Sequence, residues 1–162
     1  LFFRKKYDAK IFLFEPDILN IIALHKTKYL NNLSNFYIFP FALSKYNEIT
    51  NFLVDEITGL TGTVSLKRNE PQKRMSLTKK KEIISIKLDQ FINLIPKTSW
   101  VKIDVEGHEF EVIQGMLEII NRDRPKLIIE SDKENVNKIQ NLLSNLNYQV
   151  TKIKEDMNYI FF

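Results

Sequence analysis

A chain of 162 residues, 44% hydrophobic and 27% charged, has the composition of one globular domain with enough sequence to bury a sizeable core. With no cysteine, a disulfide framework and a thiolate metal site are both excluded. The net charge of +4 comes from lysines scattered among Asn and Ile, a compositional bias ahead of a binding stripe, so no nucleic-acid partner is expected.

The opening Leu1-Phe2-Phe3-Arg4-Lys5-Lys6 runs apolar then basic, the reverse of a signal peptide. The longest apolar runs, such as residues 11–14 and 127–129, fall far short of a membrane span, and a cytoplasmic protein is expected. Residues 10–16 predict a buried strand, a continuous apolar run closed by Glu15 and Pro16. Asp17 suits the N-cap of a helix whose stripe is Ile18, Ile21, Ile22, Leu24 and Leu30, ending at Asn31-Asn32. Residues 36–43 predict a second strand and residues 49–54 a third. Residues 58–63 form a turn-rich loop, and residues 69–81, with Lys79-Lys80-Lys81, read as a polar, solvated segment.

Residues 83–88 alternate like a strand, and Asp89 opens a short helical turn through Ile95. Residues 100–105 give the clearest buried strand, punctuated by Glu106-Gly107. The helix that follows carries Phe110, Ile113, Met116, Leu117 and Ile120 on one face. Glu109 and Glu111 lie in its first turn, where the helix dipole favours anions. Pro125 ends the connection, residues 126–130 predict another buried strand, and Val136, Ile139, Leu142, Leu143 and Leu146 mark a last helix. Residues 148–153 and 158–162 predict two strands joined by a turn at Glu155-Asp156, too short for a helical crossover and therefore antiparallel. Strands alternating with helices give an α/β fold, a mainly parallel sheet with a terminal antiparallel strand.

In an open parallel sheet, ligands bind beyond the carboxyl ends of the strands. Glu15, Asp104 and Glu130 occupy that position. A carboxylate at Glu15 can accept both hydroxyls of a nucleoside ribose, or it can simply complement the next helix dipole. Asp104 and Glu106 can take part in chemistry or cap the following helix. His108 can act as a general base near neutral pH, although a surface residue at the helix start is the favoured reading. Glu130-Ser131-Asp132 reads as a cap for the helix near Lys133 ahead of any catalytic role, and His25 lies far from any strand end. Asp104, Glu106, His108 and Glu109 include metal-ligand types but do not converge, so no metal site is expected. No Gly-x-Ser-x-Gly elbow occurs.

The run Val101-Lys102-Ile103-Asp104-Val105-Glu106-Gly107-His108-Glu109 resembles the Lys-Ile-Asp-Val-Glu-Gly-x-Glu signature of FkbM-type methyltransferases. Phe14-Glu15-Pro16, Phe41-Ala42-Leu43-Ser44, Leu88-Asp89-Gln90-Phe91, Val112-Ile113-Gln114-Gly115-Met116 and residues 125–130 also match, in family order. The resemblance implies a Rossmann-like class I fold and an S-adenosylmethionine-dependent enzyme that methylates a hydroxyl of a small-molecule or saccharide acceptor. It places Glu15 on the cofactor ribose, Ala42 near the adenine and Asp104 near methyl transfer, with Asp104 or His108 as the base.

The family's first strand and glycine-rich cofactor loop should precede Phe14-Glu15-Pro16. None of Gly59, Gly62, Gly107 and Gly115 follows a first strand and opens a helix. A single partial domain is therefore expected, one that by itself binds the cofactor poorly. Two rival readings are a methyltransferase-like binding module without catalysis and, on charge alone, a nucleic-acid methyltransferase or RNA-binding domain, for which no RRM-type signature is present.

Overall fold

Four apolar residues ending at Glu15-Pro16 form the first strand, β1 (Ile11–Phe14). The structure is a computed structural model that describes residues 9–55, 78–153 and 157–162. The chain divides into two units, Leu1–Ala42 and Leu43–Phe162. In the first, β1 leads through helix α1 (Ile18–Leu30) to β2 (Phe36–Phe39). The two strands pair in parallel, Ile11 opposite Phe36 and Phe14 opposite Phe39. Facing rings stack across the pair, Phe12 on Tyr37 and Phe14 on Phe39, each at 5.1 Å between centroids.

Asp17 caps α1 as the sequence predicts, accepting the Leu19 N–H at 2.8 Å. The helix stops at Asn31, and Asn32 takes a left-handed backbone with φ 50°. The predicted apolar stripe is present, yet no residue of α1 is buried, and Ile18, Leu19 and Ile22 stay exposed. Two four-residue strands offer too little surface to cover a thirteen-residue helix. For the same reason β1 is half-buried rather than buried.

The strand expected over residues 36–43 breaks at Pro40, which has no N–H for a ladder. After it, β3 (Ala42–Leu43) belongs to a different sheet, with order β3-β5-β4, formed with β4 (Glu48–Asp55) and β5 (Thr78–Ile86). β4 and β5 are antiparallel, from Glu48 opposite Ser85 to Asp55 opposite Thr78. Lys79-Lys80-Lys81 therefore lies in a strand, a correction to the solvated-loop reading. Its backbone pairs with Phe52, Leu53 and Val54, and this ladder holds the segment despite its charge. The expected loop at residues 58–63, the polar residues 69–77 and the turn at Glu155-Asp156 lie outside the described residues.

The third sheet has the order β6-β7-β9-β8, from β6 (Trp100–Ile103), β7 (Lys126–Glu130), β8 (Val150–Lys152) and β9 (Asn158–Phe161). β6 and β7 are parallel, while β9 runs antiparallel to both β7 and β8, as the short connection requires. Helices α2 (Glu109–Gln114), α3 (Leu117–Asp123) and α4 (Lys133–Leu142) complete the unit. Its core takes alternate strand residues Ile103, Leu127, Ile129 and Phe161 together with Ile113, Ile120 and Ile139 of the helices. Trp100, Lys102 and Lys126 alternate onto the other face, where the Lys126 ammonium lies 5.2 Å from the Trp100 ring. The strand expected to be buried thus has one buried and one exposed face.

One long helix was expected after Gly107, and the structure breaks it at Gly115-Met116. A Cβ on Gly115 would stand 2.0 Å from the Ser44 carbonyl oxygen, so only glycine permits this approach. Gly115 O accepts the Asp89 N–H at 3.0 Å, and the Asp89 carboxylate then caps α3 through Glu118 N–H and Ile119 N–H, both at 3.0 Å. Asp89 itself sits in the short 3-10 turn Leu88–Phe91. The resulting architecture is mixed α/β. No described helix is long and apolar enough to cross a membrane.

Candidate active site

Asp104 directly follows β6 and Glu130 ends β7, so the parallel pairing sets the two carboxylates side by side. Lys102, two residues before Asp104, points to the same face of the strand. Its Nζ lies 3.4 Å from Asp104 Oδ2, 3.2 Å from Glu130 Oε2 and 3.2 Å from Asn158 Oδ1. Asn158 reaches this edge because β9 is antiparallel and starts opposite Glu130. These contacts account for all three ammonium protons. Asp104 Oδ1 and Glu130 Oε1 keep no partner among the described residues. The Asp104 side chain is 47% exposed, so its free oxygen is open to a ligand.

The inner side of the same edge is built differently. After β6 the backbone turns through Glu106 with φ 50° and Gly107 with φ 92°. Glycine tolerates this left-handed region, and Glu106 is held there at a cost of about 1 kcal/mol. Glu109, only 1% exposed, closes the turn by accepting the Gly107 N–H on Oε1 at 2.8 Å. Its Oε2 accepts from Ser131 Oγ at 3.0 Å and Asn135 Nδ2 at 2.6 Å. Ser131 follows β7 and Asn135 lies in the first turn of α4, whose N-cap is Asp132 as the sequence suggests.

His108 is buried, which corrects the expectation of a surface residue. Its Nε2 lies 3.1 Å from Ser44 Oγ and its Nδ1 3.5 Å from Glu111 Oε2. A neutral ring protonated on Nδ1 satisfies both neighbours, donating to Glu111 and accepting from the Ser44 hydroxyl. Burial pushes the imidazole below its usual pKa. The Glu111 and Glu109 carboxylates oppose that shift, and the Lys45 ammonium reinforces it.

In the first unit, Glu15 sits at the carboxyl end of the β1–β2 pair, its N–H donating to Phe39 O at 3.1 Å. Its Oε1 accepts the Asp17 N–H at 2.8 Å. Burial pushes the Glu15 carboxyl up, against the lowering effect of the Asp17 N–H and the Asn20 side chain. Ala42 is buried, three residues beyond the end of β2. His25 stays exposed on α1.

The Methyltransferase FkbM domain matches residues 1–160. The chain belongs to the FkbM methyltransferase family. Among solved structures it is similar to the methyltransferase FkbM from Methylobacillus flagellatus KT, with a TM-score of 0.65 and 17% identity. That match covers 94% of this chain and 36% of the other, so the chain spans about a third of that protein's length. At this identity the likeness concerns the fold alone. No protein of curated function matches the sequence.

In this FkbM domain the structure joins Asp104 to Glu130 through Lys102, and ties the same strand ends from beneath through Glu109. Residue patterns assign Glu109 a helix-dipole role and Asp89 only the start of a short helical turn, and they give Ser44 and Asn135 no role. Asp89 and Ser44 lie within matched family segments, but nothing in their local sequence announces that they are buried and hydrogen-bonded. The left-handed turn at Glu106-Gly107 was the one legible sign that this loop is constrained.

Proposed function

We propose that this FkbM domain serves an S-adenosylmethionine-dependent methyltransferase of Rossmann-like class I type that methylates a hydroxyl oxygen of a small-molecule or saccharide acceptor. The observation that carries the reading is Asp104: an exposed carboxylate at the carboxyl end of a parallel strand, one oxygen held and the other free. The class I order sets a further strand beside the strand of Asp104, and the outer edge of β6 has no ladder partner among the described residues.

Glu15 fits a ribose. Its half-buried carboxylate is oriented by the Asp17 N–H and the Asn20 side chain, and a carboxylate has lone pairs beyond these to accept the two hydroxyls of a diol. When bound, S-adenosylmethionine supplies an electrophilic methyl group on its sulfonium. The protein's tasks are then to align the acceptor and take its proton. Asp104 Oδ1 would accept the proton of the acceptor hydroxyl, while Lys102 keeps Oδ2 engaged. His108, with both ring nitrogens occupied and the ring buried, is suited to holding the loop rather than to reaching an acceptor.

Calorimetry on the full-length protein tests the cofactor half of this reading. Glu15→Ala removes a charged acceptor worth about 1.5–3 kcal/mol, so S-adenosylmethionine affinity should fall roughly ten- to a hundredfold. An unchanged dissociation constant would remove Glu15 from the cofactor site.

A further inference from the structure

We infer that Glu109 is a positioning residue for the transfer step: its buried carboxylate fixes the loop that follows Asp104 against the loop that follows Glu130. The inference rests on the reading of Asp104 given above. Glu109 is 1% exposed and takes part in no ion pair among the described residues. Burying an uncompensated carboxylate is expensive, and it is tolerated only where donors replace water. Here three donors converge on it from two chain segments, the turn at Gly107 (N–H at 2.8 Å) and the stretch from Ser131 (Oγ at 3.0 Å) to Asn135 (Nδ2 at 2.6 Å).

Each oxygen serves one side of the site. Oε1 holds the turn whose Glu106 and Gly107 both have positive φ, three residues or fewer from Asp104. Oε2 holds Ser131, the residue after Glu130, and Asn135 also donates to Ser131 Oγ at 3.0 Å, closing the network. A left-handed backbone at Glu106 persists only where its surroundings over-determine it. While His108 anchors the next residue to Ser44, the Gly107 N–H bond to Glu109 is a constraint made within that turn itself. Without it the turn can relax toward ordinary backbone and carry the Asp104 carboxylate with it. Lys102 spans the same two strand ends on the exposed face, but through long, solvent-screened contacts that cannot replace the buried ones.

The test uses the full-length protein with S-adenosylmethionine and an acceptor that supports turnover, and compares Glu109→Ala, Glu109→Gln, Asp104→Asn and the Glu109→Ala/Asp104→Asn double variant. In Glu109→Ala, kcat per folded molecule should fall by about ten- to a hundredfold, the scale of an ångström-sized misplacement, with KM for both substrates changed less than about threefold. Hydrogen exchange at the Gly107 amide should accelerate. Glu109→Gln keeps an acceptor for Gly107 and, with the Asn135 amide turned over, should restore most of kcat and the exchange protection. In the double variant the loss from Glu109→Ala should largely disappear, because the group it positions is already disabled. Unchanged kcat per folded molecule in Glu109→Ala, or losses that simply multiply in the double variant, would overturn the inference. Failure of the underlying reading has a separate signature: normal turnover in Asp104→Asn alone, which leaves nothing at that position for Glu109 to align and overturns the inference with it.

Discussion

The two sides of the β6–β7 carboxyl edge contain similar residue types and treat them in opposite ways. On the exposed side, Lys102, Asp104, Glu130 and Asn158 meet at 3.2–3.4 Å with side chains roughly half open to solvent. On the inner side, Glu109, Ser131, Asn135, His108 and Ser44 make contacts of 2.6–3.1 Å with little or no exposure of Glu109, His108 and Ser44. Water screens the first group, so its contacts add little stability, and its carboxylates keep oxygens free for a ligand. In the second group Glu109, His108, Ser131 and Ser44 are buried away from water, so a bond lost among them leaves a stranded polar atom. Stability should therefore reside below the edge and chemistry above it.

The sharpest way to break that contrast is Glu109→Ala. It strands the buried Ser131 hydroxyl, takes a partner from the half-buried Asn135 amide and frees the Gly107 turn, and urea denaturation should report a loss of about 3 kcal/mol. A loss under about 1 kcal/mol, the value typical of exposed pairs, would erase the distinction between the two sides. Next comes Gly115→Ala, whose new methyl group would meet the Ser44 carbonyl at 2.0 Å. The backbone must give way, and a loss of about 2 kcal/mol is expected from overpacking. A neutral result would contradict the close Ser44–Gly115 approach.

His108 gives a smaller, pH-dependent effect. Its pKa is lower in the folded protein than its ordinary value near 6.5, because burial disfavours the cation. The unfolded chain therefore binds the proton first as pH falls. The contribution of His108 is complete above about 6.5 and is lost progressively as pH drops from there toward the lowered folded value. Denaturation between pH 7.5 and 5 should show this decline, and His108→Gln should flatten it. An equal slope in the variant would assign the titration to another group. The smallest effect is expected for Lys102→Met, a change in stability within about 1 kcal/mol that shrinks further in high salt.

The sequence announced this division unevenly. The helix cap at Asp17, the antiparallel pairing at the chain's last strands and the placement of Asp104 and Glu130 at strand ends were readable, because each depends on local pattern or connection length. Pro40, too, carried a local signal, the missing N–H that ends β2, although an apolar run from Phe36 to Leu43 masked it. Lys79-Lys80-Lys81 misled because strand pairing with residues 52–54 is nonlocal and overrides the polar composition. The break at Gly115 depends on a carbonyl 71 positions earlier in the chain, at Ser44, and no periodicity reports such a contact. The inner network was invisible for the same reason. Glu109 in a first helical turn reads as a solvated acid until Ser131 and Asn135 are brought beside it.

The most direct test of the account is Asp104→Asn in the full-length protein, following methyl transfer and S-adenosylmethionine binding together. The substitution keeps the shape of the side chain and removes the proton acceptor. Turnover should fall by about a hundredfold or more, on the scale of general-base catalysis, with the cofactor dissociation constant within about threefold of the original. Turnover that stays normal, or a loss fully explained by weaker cofactor binding, would contradict the assignment of Asp104 to the reaction centre.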